Sequence, residues 1–137
     1  MASLQSAAGV LYSVSSQGGD PVVFAEADSS LDRRGLIYPS LLPDGSVLYA
    51  VAVGAEAGAL IVQQGQERRV LMNNRGERIA FPAYSPTGHI VYQRGFPQST
   101  GVWAVPFDGT QVTGEQFPVD GEGGYPTVSS DGTLEYR

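Results

Sequence analysis

An aromatic residue followed by proline stands at Tyr38-Pro39, Phe81-Pro82 and Tyr125-Pro126, so the prolines are 43 and 44 residues apart. Each pair opens the same phrase: Tyr38-Pro39-Ser40-Leu41-Leu42-Pro43-Asp44-Gly45 before Ser46 to Tyr49, Phe81-Pro82-Ala83-Tyr84-Ser85-Pro86-Thr87-Gly88 before His89 to Tyr92, and Tyr125-Pro126-Thr127-Val128-Ser129-Ser130-Asp131-Gly132 before Thr133 to Tyr136. A period of this size restricts the chain to a row of similar units, each covering its neighbours. The phrase reads as a short strand, a tight turn in which Gly accepts positive φ and Asp bonds the backbone ahead, and a second strand.

Two more strands follow within each period. The aromatic-Pro strand is called a, the strand after the turn b, a glycine-started apolar strand c, and the strand after the next turn d. Strand c is Gly9 to Val14, Gly58 to Val62 and Gly101 to Val105. Strand d is predicted at Pro21 to Ala25, Arg68 to Met72 and Glu115 to Val119, and strand a at Leu36 to Leu41, Arg78 to Tyr84 and Tyr125 to Ser129. Gly54 to Gly58 and Asn73 to Gly76 read as loop and turn, and Met1 to Ala8 as no element. No stretch holds a 3.6-residue apolar period over eleven residues, so the class is all-β. The chain runs c-d (residues 9–27), a-b-c-d (35–73), a-b-c-d (77–120) and a-b (124–137), in one domain.

Four-stranded antiparallel meanders of 40–45 residues are the blades of β-propellers. Three blades do not close a ring. The a-b pair at one end is complementary to the c-d pair at the other, so two copies are expected to close a six-bladed ring as a homodimer burying above about 2,000 Å² in total. An excised piece of a longer propeller would read the same way.

Composition narrows the partners. With eight Arg, no Lys and fourteen acidic residues the formal charge is −6, against the basic stripe of a nucleic-acid binder. Cysteine is absent, which excludes disulfides and thiolate metal sites. The N-terminal residues carry no charged segment or long apolar run, and no apolar window is long enough to span a bilayer as a helix. The expectation is a cytoplasmic chain as written, or a periplasmic one if a leader was removed, with no membrane partner.

The run Ser85-Pro86-Thr87-Gly88-His89-Ile90-Val91-Tyr92, with Gly101-Val102-Trp103-Ala104-Val105-Pro106-Phe107-Asp108 and Val128-Ser129-Ser130-Asp131-Gly132-Thr133-Leu134-Glu135-Tyr136, resembles the TolB-like, WD-repeat-like propeller. The likeness is nearest to the propeller region that follows some bacterial serine/threonine protein kinases, and it covers about Leu11 to Tyr136. It implies a six-bladed ring used for binding or sensing. The chain departs from that pattern in having three blades and neither a kinase domain nor a membrane helix.

No nucleophile elbow or His-Glu-x-x-His motif occurs, and His89, the one histidine, reads as a turn-adjacent structural residue. Asp44 and Asp131 sit at equivalent turns and read as turn formers. The acidic segments 28–32 and 120–122 lack the twelve-residue calcium-loop pattern, so neither a metal nor a cofactor is expected. Tyr12, Ile61 and Trp103 share a register of strand c and read as inter-blade core. The d-to-a and b-to-c connections of a propeller share one face, and Arg33, Arg34, Arg75, Arg78 and Arg94, with Glu77 and Glu122, fall in or beside them. These seven are the candidate ligand site at the channel mouth, suited to a peptide or small anionic ligand held by guanidinium forks. The leading reading is a non-catalytic binding or scaffold module. A hydrolase or lyase using channel-mouth carboxylates and a fragment of a larger, kinase-linked sensor are the alternatives.

Overall fold

The computed structural model describes residues 2–7, 10–26, 36–52, 57–75, 78–95 and 101–137. These residues form strands and turns with no helix, arranged as antiparallel sheets. The first sheet is β1 (Ala2–Ala7), β2 (Val10–Ser15) and β3 (Val22–Glu26), in that order. The second is a four-stranded meander of β4 (Leu36–Leu41), β5 (Val47–Ala52), β6 (Ala57–Gln64) and β7 (Glu67–Arg75). The third repeats it with β8 (Ile79–Ser85), β9 (His89–Arg94), β10 (Gly101–Pro106) and β11 (Phe117–Asp120). A two-stranded hairpin of β12 (Thr127–Val128) and β13 (Leu134–Glu135) ends the row.

The a-b-c-d order of the two full units is as the sequence reads. Three local expectations are corrected. Residues 2–7 form a strand although they contain no β-branched or aromatic residue, because β2 offers them an open edge to pair with. Strand c of the second sheet starts at Ala57, within the segment 54–58 expected as a loop, and Asn73 to Arg75 continue strand d instead of turning. The last two extend each other, since Ala57, Gly58 and Ala59 pair with Arg75, Asn74 and Asn73 and satisfy backbone groups that a loop would leave to water.

The core lies between sheets. Strand β5 alternates, so that Val47, Tyr49 and Val51 join Leu11, Ala59 and Ile61 on one side, while Leu48 joins Leu60, Ile79, Ile90, Tyr92 and Val105 on the other. Strand β9 divides its side chains likewise: Ile90 and Tyr92 belong to that second cluster, and Val91 packs with Val102, Ala104, Val128 and Leu134 toward the terminal hairpin. Period-2 alternation thus serves two interfaces at once, which is why these strands are apolar almost throughout. At β6, Gly58 permits a close backbone approach, since a Cβ there would lie 2.7 Å from the backbone N of Ile79 in the next sheet.

Two buried tyrosines are tied to glutamines within this core. Tyr49 donates its phenol proton to Gln63 Oε1 at 2.9 Å, and Gln63 Nε2 donates to the Gly65 carbonyl at 2.9 Å. Tyr92, at the equivalent place, donates to Gln116.

The three a-b turns are built alike. Gly45, Gly88 and Gly132 have φ of 89°, 89° and 92°, and their N–H groups donate to the carbonyls of Leu42, Ser85 and Ser129 at 3.0 Å. Asp44 accepts from Ser46 N at 2.8 Å and Asp131 from Thr133 N at 2.9 Å. Hydrogen bonds from Ser129 and Thr133 pull the Asp131 carboxyl down to about 2. In the middle turn Thr87 replaces the aspartate, and its hydroxyl lies 3.0 Å from His89 Nδ1 and 2.7 Å from Ser85 Oγ.

Candidate functional site

The aromatic-Pro pairs carry the least ordinary backbone in the chain. Tyr38, Phe81 and Tyr125 have φ of 57°, 53° and 55°, the described non-glycine residues in the left-handed region. That conformation costs an L-residue about 1–2 kcal/mol, and a following proline normally drives the preceding residue to extended backbone. The cost is met three times at one position of the repeat. In β4 the pairing with β5 shifts between Ile37 and Ser40, and in β8 the pairing with β9 shifts between Ala80 and Ala83, so each aromatic sits in a bulge. A bulge re-aims its side chain. Instead of alternating across the sheet, the rings point along the row and meet: Tyr38 and Phe81 have centroids 4.3 Å apart, and Phe81 and Tyr125 have centroids 5.0 Å apart.

The result is a ladder of three rings, one per repeat, along the first strands. Tyr38 and Phe81 are half-buried and Tyr125 is 51% exposed. Burial raises the Tyr38 phenol above its usual range, opposed by the positive charge of Arg78. The third rung is anchored from the neighbouring sheet: Gln93 is fully buried, and its Oε1 accepts the Tyr125 N–H at 2.8 Å. Gln93 Nε2 has no hydrogen-bond partner among the described residues. The Arg137 guanidinium lies 6.0 Å from the Tyr125 ring centroid, while Arg137 and Gly124 exchange backbone hydrogen bonds at 2.9 and 2.8 Å.

Of the seven residues expected at the channel mouth, the structure locates Arg78, Arg94 and Glu122 fully. Arg78 precedes β8, accepts the Gly95 N–H at 3.0 Å on its carbonyl, and lies within electrostatic reach of Tyr38. Arg94 ends β9 beside it and stacks 4.2 Å over Trp103, a cation–π contact that fixes the guanidinium plane. Glu122 is exposed in the connection after β11, where its N–H donates to Asp120 at 2.9 Å. Arg75 pairs with Ala57 at the end of β7, on the same edge of the row. Arg33, Arg34 and Glu77 lie outside the described residues. Arg78 is the member placed next to the ladder.

Sequence reasoning missed the ladder, although the recurring aromatic was its signal: a ring that returns every repeat at one backbone position can touch its own copies. The column of Tyr12, Ile61 and Trp103 is confirmed in register, because the pairing of c with d shifts just before each of them. Ile61 is fully buried, and Trp103 is half-buried against the second inter-sheet cluster.

At the opposite end of the inner strands the a-b turns line an open groove of about 460 Å³. Leu41 to Pro43, Tyr84 and Pro86, and Val128 to Ser130 contribute to it from three successive repeats. His89 lies at this end, with its ring 5.7 Å from Phe117 in edge-on contact. Among the described residues no three His, Asp or Glu side chains cluster as metal ligands, and no helix is long and apolar enough to cross a membrane.

A scan against protein-family models gives no match, and a search of curated proteins finds no relative.

Proposed function

We propose that the chain is a non-catalytic binding module of the TolB-like, WD-repeat-like propeller type. Two copies supply the sheets of a six-bladed ring, and the ladder of Tyr38, Phe81 and Tyr125 lines its mouth. The observation that carries the reading is the left-handed backbone at all three aromatics. Strain repeated at one position, and spent on presenting rings rather than burying them, is the mark of a surface kept for contact. Arg78 beside Tyr38 and Arg137 beside Tyr125 add positive charge to an aromatic surface on an otherwise acidic chain. A peptide carrying carboxylates and aromatic or proline side chains fits that combination. A longer polypeptide that supplies its own further strands would present the same site.

An acidic peptide rich in phenylalanine, titrated while Trp103 fluorescence is followed, tests the reading. Saturable binding is expected, weakened by about tenfold or more in Phe81→Ala, the size of losing one well-packed aromatic contact. Equal binding by Phe81→Ala and the parent chain would move the site away from the ladder.

A further inference from the structure

We infer that β1 is a stand-in for the last strand of a second copy of this chain, and that exchange of the two at the edge of β2 controls assembly. The inference rests on the two-copy ring proposed above. Its first support is register. In β5–β6, Leu48 faces Val62 and Tyr49 faces Ile61; in β9–β10, Val91 faces Ala104 and Tyr92 faces Trp103. In β1–β2, Leu4 faces Ser13 and Gln5 faces Tyr12. Because Tyr12, Ile61 and Trp103 each follow the same shift in the c–d pairing, β1 holds the place of strand b with the same direction and alignment. It also touches β4, the first strand of the next sheet, as β5 touches β8.

The second support is the mismatch of chemistry. At the two positions where strand b elsewhere places Leu48-Tyr49 and Val91-Tyr92, β1 places Leu4-Gln5, and its other residues are Ala and Ser. Ala and Ser pack a pleated surface weakly. The third support lies at the other end of the row. Strand β13 is a b strand whose second edge meets no strand among the described residues, and it carries Glu135-Tyr136 at the matching positions. Tyr136 is 42% exposed, whereas Tyr49 and Tyr92 are fully buried. A c strand held by a poor partner and a b strand with no c strand among the described residues are complementary edges, and unpaired strand edges seek one another. On exchange, β13 of a second copy replaces β1, with Tyr136 facing Tyr12 and Glu135 facing Ser13.

The absence of native cysteine makes paired cysteines a clean reporter of strand neighbours. Oxidised Leu4→Cys/Ser13→Cys locks β1 in place and is expected to sediment as a monomer, and reduction of the same sample is expected to restore a dimer. Ser13→Cys/Glu135→Cys is expected to form a disulfide-linked dimer. A chain lacking residues 2–7 is expected to self-associate at least about tenfold more tightly than the parent, since removing a competitor returns the edge to its partner. Association that is equal with β1 locked, unlocked and deleted overturns the exchange and leaves the ring standing. Absence of a dimer in every sample, the deletion included, overturns the ring as well. If the shortened chain fails to fold, the oxidised and reduced forms of the full chain decide the matter.

Discussion

Three repeats carry the same tyrosine four residues after the turn glycine, and the row treats them differently. Tyr49 and Tyr92 are fully buried with their phenols bonded to Gln63 and Gln116, whereas Tyr136 is 42% exposed. Its hydroxyl bonds the half-buried Asp120, which raises the phenol. At the other end Val22 and Val23 are 66% and 49% exposed in β3. The residue type and local backbone are shared, so the neighbouring sheet makes the difference. A unit here has no core of its own; it acquires one from each neighbour, and the outer units acquire one side less.

Substitutions that separate inner from outer units test this directly. The largest contrast is expected between Tyr92→Ala and Tyr136→Ala. The first removes a fully buried ring and its hydrogen bond to Gln116, and should cost about 3–5 kcal/mol in urea denaturation. The second should cost about 1 kcal/mol or less, as for a partly solvated side chain. Equal losses would mean that the end hairpin is as firmly built as the inner sheets.

Next comes a pair of glycines. In Gly58→Ala the new Cβ would press on the Ile79 backbone, which has no room to move, and a loss of about 2–3 kcal/mol is expected. In Gly123→Ala the Cβ would meet the Tyr136 ring at 2.6 Å, and an exposed ring can swing aside, so about 1 kcal/mol is expected. A reversed order would show the end hairpin to be the more rigid of the two.

A smaller effect isolates the strain in the ladder. Both Phe81→Ala and Phe81→Gly remove the ring, but only glycine relaxes at a φ of 53°, so the glycine variant should be the more stable by about 1 kcal/mol. The opposite order, usual for strands, would mean that the bulge relaxes once the ring is gone.

The smallest effect is acid sensitivity. The Asp131 carboxyl is depressed to about 2 in the folded chain, so its contribution is complete above the unfolded value near 3.8 and is lost as the pH falls through about 2. The middle turn, with Thr87, has no such group. Amide resonances of Ser129 and Thr133 should therefore shift in that range while those of Ser85 and Thr87 hold, and Asp131→Asn should abolish the difference. Parallel shifts in both turns would point to a cause outside Asp131.

Much of the architecture was legible because it is written locally. Asp44-Gly45, Thr87-Gly88 and Asp131-Gly132 announce their turns, and the apolar runs around Leu48, Ile90 and Val102 announce strands buried on both faces. Strand β1 was not legible, since Ala2 to Ala7 has no strand composition and owes its state to the edge of β2. The left-handed aromatics were not legible either. The local rule for a residue before proline points to extended backbone, and it is overridden by rings 43 and 44 residues away. Of the candidate site, the arginines were visible as charges near the right connections. The partners of Arg94 and Arg78, Trp103 and Tyr38, became visible only in the folded chain.

The ladder also separates spacing from connection. Three residues join β7 to β8 and six join β11 to β12, yet the rungs stay 4.3 and 5.0 Å apart. Contact between successive rungs is therefore kept across connections of different length. The loops at that end are released from any duty as spacers, and their length and sequence are free to diversify while the frame beneath them keeps its gauge.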